Sequence, residues 1–192
     1  MTEEQRELIR KMQQTGVTQE EAFHFFDSLE AVSIPFMKGR WKGSECITGH
    51  IMDGMLSIAP WHGKAFITPE AVHPLVFTDR AGKRYCVDPK KVFRFIKNKA
   101  SMMVLSDFTR KHRDGSFDAH KLDLIFRSFR TGRPKARLRE LSFRGKVTAA
   151  MIYDELAIID VFRKIDNNTV LGVMDIKGRY GKKGYFFLLE RE

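Results

Sequence analysis

"GRWKG", residues 39–43, sets one tryptophan between two glycines, and the residues around it alternate. From Met37 to Ile47, Gly39, Trp41, Gly43, Glu45 and Ile47 fall on one side of an extended chain, while Lys38, Arg40, Lys42 and Ser44 fall on the other. A period of two is the signature of a strand, here with one charged face and one face turned to a core. Trp41 and both glycines then point inward. Glycine leaves room beside the indole, and either a closely passing backbone or a bound ligand fills it.

Upstream, Thr18 and Glu21 have the spacing of a capping box, and Val17 with Ala22 can form the accompanying hydrophobic staple. A helix over 18–34 follows, with Phe23, Phe25, Phe26, Leu29 and Val32 at helical spacing and Pro35 ending it. Downstream, Asp53 is placed to cap a short helix in "GMLSIAPWHG". "VHPLVFTD", "KRYCVD" and "SMMVLSDF" read as strands between Pro, Gly and Asp turn signals. Asp118 caps a helix over 118–131 through Leu122, Ile125, Phe126 and Phe129, stopped by Gly132 and Pro134. Five short strands close the chain: "KARLRELSF", "KVTAAMIYD", "IIDVFRKI", "TVLGVMDI" and "YFFLLER". Strands at this spacing form an antiparallel meander, and this many suggest a barrel or sandwich. The fold class expected is mainly β with helices (α+β).

At 192 residues and 43% hydrophobic composition the chain suits a single domain, 1–192, around one core. The opening "MTEEQRELIRKMQQ" is densely charged and lacks the apolar run of a secretory signal, and no stretch approaches a membrane-spanning helix. A cytoplasmic location is expected. Cys46 and Cys86 lie far apart with no C-x-x-C pairing, so they read as reduced, buried thiols. The net charge of +10 favours nucleic acid, an anionic membrane surface or an acidic ligand, without choosing among them.

"GRWKG", continued by "GHIMDGML" and "WHGKAF", resembles the GXWXG domain of bacterial and fungal proteins. The stretch from "ARLRELSF" through "YFFLL" is similar to the domain of unknown function that usually follows it. A Gly-x-Trp near a first barrel strand also resembles the calycins, which comprise lipocalin, fatty-acid-binding and nitrobindin-like barrels. That resemblance implies an antiparallel calycin-like β-barrel around a ligand cavity. A GXWXG-type half over 36–96 and a C-terminal half over 132–191 would close the same barrel.

Six histidines occur, none at zinc-binding spacing, so no metal site is expected. His50 and His62 match positions of the family motif and could edge a pocket, or ligate iron if the barrel held haem. Trp41 and Trp61 are candidate cavity walls, with Tyr153, Phe162 and Met174 from the apolar C-terminal strands. Asp154, Glu155, Asp160 and Asp175 sit amid those strands, where a carboxylate is costly unless paired, and Arg163 is the nearby cation. No nucleophile motif accompanies them. Arg163 or Tyr153 would meet a ligand's polar head. Residues 127–146 are the most basic segment, and Arg133, Lys135, Arg137 and Arg139 alternate so as to form one strand face able to grip phosphate. No RNA- or DNA-binding signature supports a nucleic-acid partner.

These observations lead to a non-catalytic binding protein for a small hydrophobic or amphipathic ligand, a lipid or fatty-acyl compound, needing no cofactor. A haem or gas-binding nitrobindin-like barrel, and a nucleic-acid or anionic-surface binder acting through 127–146, stand as alternatives.

Overall fold

The computed structural model describes residues 2–95, 107–109, 111–112, 117–178 and 183–192. Its helices are α1 (Glu3–Gln14), α2 (Gln19–Ser28), α3 (Ile34–Met37), α4 (Pro89–Phe95) and α5 (Asp123–Ser128), the last preceded by a 3-10 turn, Ala119–Leu122. Its strands are β1 (Glu30–Ala31), β2 (Gly39–Glu45), β3 (Trp61–Thr68), β4 (Ala71–Thr78), β5 (Arg84–Cys86), β6 (Ala136–Phe143), β7 (Lys146–Tyr153), β8 (Ile158–Lys164), β9 (Thr169–Ile176) and β10 (Tyr185–Arg191).

Eight strands close into an antiparallel barrel in the order β2-β3-β4-β6-β7-β8-β9-β10, with β10 returning to β2. Closure removes the open edges that a sheet of this length would present. The weakest seam is β4 to β6, with one registered pair, Val72 and Ala136. β1 and β5 pair on the outside, with β8 and β4.

Strands β7 to β10 are apolar on both faces because both are covered. Met151, Tyr153, Phe162, Met174, Phe187 and Leu189 fill the interior. Ala150, Val161, Leu171, Val173, Phe186 and Leu188 point outward and pack under α1 and α2 through Met12, Phe25 and Phe26. Each large apolar side chain buried there contributes roughly 1.5–3 kcal/mol. Among the described residues no helix is long and apolar enough to cross a membrane.

Several expected elements differ. The Thr18 and Glu21 capping box starts α2, but the helix ends at Ser28, because residues 30–31 pair with β8 and Pro35 begins the new turn α3. "GMLSIAPWHG" is not a helix. Residues 51–60 form turns, and Asp53 Oδ2 accepts from the backbone N–H groups of Thr48, Gly49 and His50 before it. The helix over 118–131 is broken into the 3-10 turn and α5, and Ile125 is exposed instead of buried. The strand read in "SMMVLSDF" lies largely outside the described residues, and Asp107 and Phe108 are helical.

Candidate functional site

The barrel interior is not filled throughout. A cavity of about 140 Å3 lies between its core and the cap formed by residues 51–60, α4 and α5. Trp61, Met174, Tyr185 and Phe187 contribute its walls from the barrel, Met52, Leu56 and Ile58 from the turns, and Val92, Phe93 and Phe126 from the helices. These walls are apolar, as a site for an apolar molecule requires.

One end of the cavity is different. Lys64 of β3 and Asp160 of β8 both point inward and meet across the barrel at 2.8 Å, 4% and 1% exposed. The Lys64 ammonium also donates to the Pro74 carbonyl at 3.2 Å and lies 4.8 Å from the Phe187 ring centroid. Tyr153 donates to the same Asp160 Oδ2 at 3.3 Å. Burial pushes the Asp160 carboxyl above its ordinary range, while Lys64 and the Tyr153 hydroxyl pull it back. Burial and the neighbouring Asp160 push the Tyr153 phenol well up. Asp160 Oδ1 and Trp61 Nε1 are buried with no hydrogen-bond partner among the described residues.

A second, partly buried carboxylate fastens the cap. Glu45, at the end of β2, accepts from the Tyr185 hydroxyl, from Gly54 N at 2.7 Å and from Ser57 Oγ at 2.7 Å. Burial raises its pKa against these hydrogen bonds. The turn segment over the cavity is thereby tied to the barrel wall.

Of the residues expected at a site, Trp61, Tyr153 and Met174 line the cavity. Trp41 does not. It is wholly buried beside Lys64 in register, its Nε1 donating to the Met37 carbonyl at 2.8 Å. Phe162 is core, edge-on to Phe66 and Phe187. Arg163 cannot share a face with Phe162, since they are consecutive in β8. It points outward, its guanidinium 5.0 Å from the Phe26 ring centroid and donating to the Phe143 carbonyl. The cation that neutralises Asp160 is therefore Lys64, not Arg163. His50 is buried against Tyr185 but does not line the cavity, and His62 lies outside the barrel, paired with Glu192 at 2.7 Å.

Of the four basic residues expected to grip an anion, three have acidic partners within the chain. Lys135 meets Asp88 and Glu155, Arg137 meets Asp154, and Arg139 meets Glu70. Arg133 is exposed beside them. Among the described residues no group of three or more His, Cys, Asp or Glu side chains is placed to hold a metal ion.

The model of the GXWXG protein family matches residues 24–82, and that of a domain of unknown function, DUF4334, matches residues 134–191. A crystal structure of a protein from Thermomonospora curvata is 30% identical, with a TM-score of 0.63, over 92% of this chain and 89% of that one. The chain belongs to the GXWXG family. Among curated proteins none matches it. In this GXWXG protein the two matched segments are not separate bodies, since β2 to β4 and β6 to β10 close one barrel. An eight-stranded closed barrel is consistent with a calycin-like fold.

The second glycine of the GXWXG motif makes room for a different tryptophan from the one beside it. A Cβ on Gly43 would sit 2.0 Å from the Trp61 ring, so Gly43 is where Trp61 lies flat on β2 as it lines the cavity. Sequence reading missed Lys64, and with it the polar end of the cavity. The available signal was a lone lysine in the apolar run "KAFI" and a lone aspartate in "IIDVF", each too costly to bury without the other.

Proposed function

We propose that this protein binds a small apolar or amphipathic molecule inside the barrel, its apolar part among the cavity walls and any polar group at Lys64, Asp160 and Tyr153. The observation that carries the reading is an apolar cavity ending in a buried ion pair with an unpartnered carboxylate oxygen. A filled core gains nothing from burying such a pair, which costs several kcal/mol per ion in desolvation before its attraction is counted.

The volume narrows the ligand. About 140 Å3 is close to that of an engineered cavity of about 150 Å3 that takes benzene, so the space suits a ring-sized group or a short chain. A long acyl chain would have only its end there. Burial of such a group is favourable by about 25 cal/mol per Å2 of apolar surface.

The haem alternative does not fit this cavity. All six histidines are among the described residues and none lines it. The anionic-surface alternative is weakened by the acidic partners of Lys135, Arg137 and Arg139.

Native mass spectrometry of the purified protein, followed by denaturing extraction, tests the binding reading. A co-purifying small apolar compound is expected, displaced by a benzene-sized competitor with a change in Trp61 fluorescence. Neither a bound mass nor any fluorescence response across a panel of small apolar compounds would sink the reading.

A further inference from the structure

Resting on that reading, we infer that the site selects a neutral ligand carrying a hydroxyl or similar hydrogen-bond donor, and rejects the carboxylate of a fatty or aromatic acid. The inference comes from which hydrogen-bonding capacity is spare at the polar end of the cavity.

The Lys64 ammonium has three protons. One bond goes to Asp160 Oδ2 and one to the Pro74 carbonyl, and the ammonium faces the rings of Phe187, Tyr153 and Trp61 at 4.8, 5.9 and 5.9 Å. The Tyr153 hydroxyl is used on Asp160 Oδ2. Apart from the third ammonium proton, which has only those rings near it, what remains is an acceptor, Asp160 Oδ1, and a donor, Trp61 Nε1. Both residues line the cavity, and the Trp61 ring lies 5.9 Å from the ammonium that holds Asp160.

A ligand hydroxyl can donate to the first and accept from the second, and a hydrogen bond to a charged group is the stronger kind. A ligand carboxylate can accept from Trp61 Nε1 but cannot serve Asp160. It has no proton for Asp160 Oδ1, and it brings a second negative charge to a buried pair that is already neutral. Among the described lining residues Lys64 is the one cation, and Asp160 already holds it. Two carboxylates sharing one buried ammonium would force one of them to take up a proton.

The test uses the wild-type chain with toluene, benzyl alcohol and benzoate, three probes of one ring each, by calorimetry at neutral pH. Benzyl alcohol is expected to bind about tenfold more tightly than toluene, the equivalent of one hydrogen bond to a charged group. Benzoate is expected to bind weakest, about a hundredfold below benzyl alcohol. Benzoate binding as tightly as benzyl alcohol overturns the inference and leaves the cavity reading standing, as does equal affinity for toluene and benzyl alcohol. If none of the three binds, the cavity reading itself fails and the selectivity falls with it.

Discussion

Arg191, in the last strand, stacks its guanidinium on Trp41, its register partner in β2, with 4.2 Å between the guanidinium carbon and the ring centroid. The same guanidinium donates to the Lys38 carbonyl at 2.9 Å and the Phe36 carbonyl at 2.7 Å. One side chain thus fastens the C-terminal strand to the start of β2 and to α3. Lysine cannot reproduce a planar stack with two directed hydrogen bonds. Arg191→Lys is therefore expected to lower stability by about 1–3 kcal/mol in urea unfolding, while affinity for a cavity ligand stays unchanged. A shift in affinity equal to that caused by a cavity-lining substitution would contradict the placement of Trp41 away from the site.

Gly43 and Trp61 make the next prediction. In Gly43→Ala the added methyl meets the Trp61 ring at 2.0 Å, so the indole must move off β2 and into the cavity. Overpacking of this kind costs about 1–3 kcal/mol. The cost is expected to shrink when Gly43→Ala is made in a Trp61→Ala background, because the two positions share one contact. Additive costs in the double-mutant cycle would show that Trp61 does not lie on Gly43.

These two contacts mark where sequence reading succeeds and where it stops. Alternation placed Trp41 on the inward face of β2 and identified the five C-terminal strands, because side chains buried on both faces leave an apolar run that composition cannot hide. The strand β3 escaped, since its inward positions include Lys64 and its register shifts around Gly63. Helix α1 escaped as well, although Thr2 and Gln5 form a capping box and Leu8, Ile9 and Met12 share a face, because its charge density masked a stripe of three residues. The pairing of Lys64 with Asp160 joins residues 96 apart in sequence, and only barrel closure brings them together. Periodicity reports which face a residue takes, not which residue waits across the core.

Acid should weaken the tie from the β7–β8 turn to helix α4 and to the residue before β6. Hydrogen bonds from Lys135 and Lys90 hold the Glu155 carboxyl down, from an ordinary 4.5 to about 2. A depressed carboxyl contributes stability that is present above 4.5 and lost as pH falls through about 2. The stability gap between wild type and Glu155→Gln is therefore expected to narrow as pH is lowered across that window, and to narrow with added salt at neutral pH. A gap that stays constant from pH 5 to 2 would mean that Glu155 is not held by these lysines.

The thiols offer a check on burial. Cys46 is wholly buried, and burial with the nearby Glu45 and Asp53 carboxylates pushes its pKa far up. Burial also raises Cys86. Since the thiolate is the reactive form, Cys46 is expected to resist a disulfide reagent in the native protein and to react only at the rate of unfolding. Prompt labelling of Cys46 under native conditions would contradict the packing of β2 beneath α1 and α2.

The buried pair at the cavity gives the most discriminating experiment, because acid relieves the loss of only one of its two halves. Lys64→Met leaves the Asp160 carboxylate alone in an apolar interior, at a cost of about 3–5 kcal/mol at neutral pH. A buried carboxyl whose pKa is raised favours the folded state relatively more as pH falls, since folding then retains a proton that the unfolded chain releases. The Lys64→Met deficit is thus expected to shrink on acidification. Asp160→Asn leaves the Lys64 ammonium without its counter-ion and no carboxyl there to take up a proton, so its deficit should not shrink in acid. Lys64→Met combined with Asp160→Leu removes both charges and should be more stable than either single variant, as replacing a whole buried pair with apolar groups usually is. The double variant should also bind toluene and benzyl alcohol alike. Unfolding curves at several pH values decide the stability arm and calorimetry the ligand arm; a double variant that is stable yet still prefers the alcohol would move the polar contact from Asp160 to another group in the cavity.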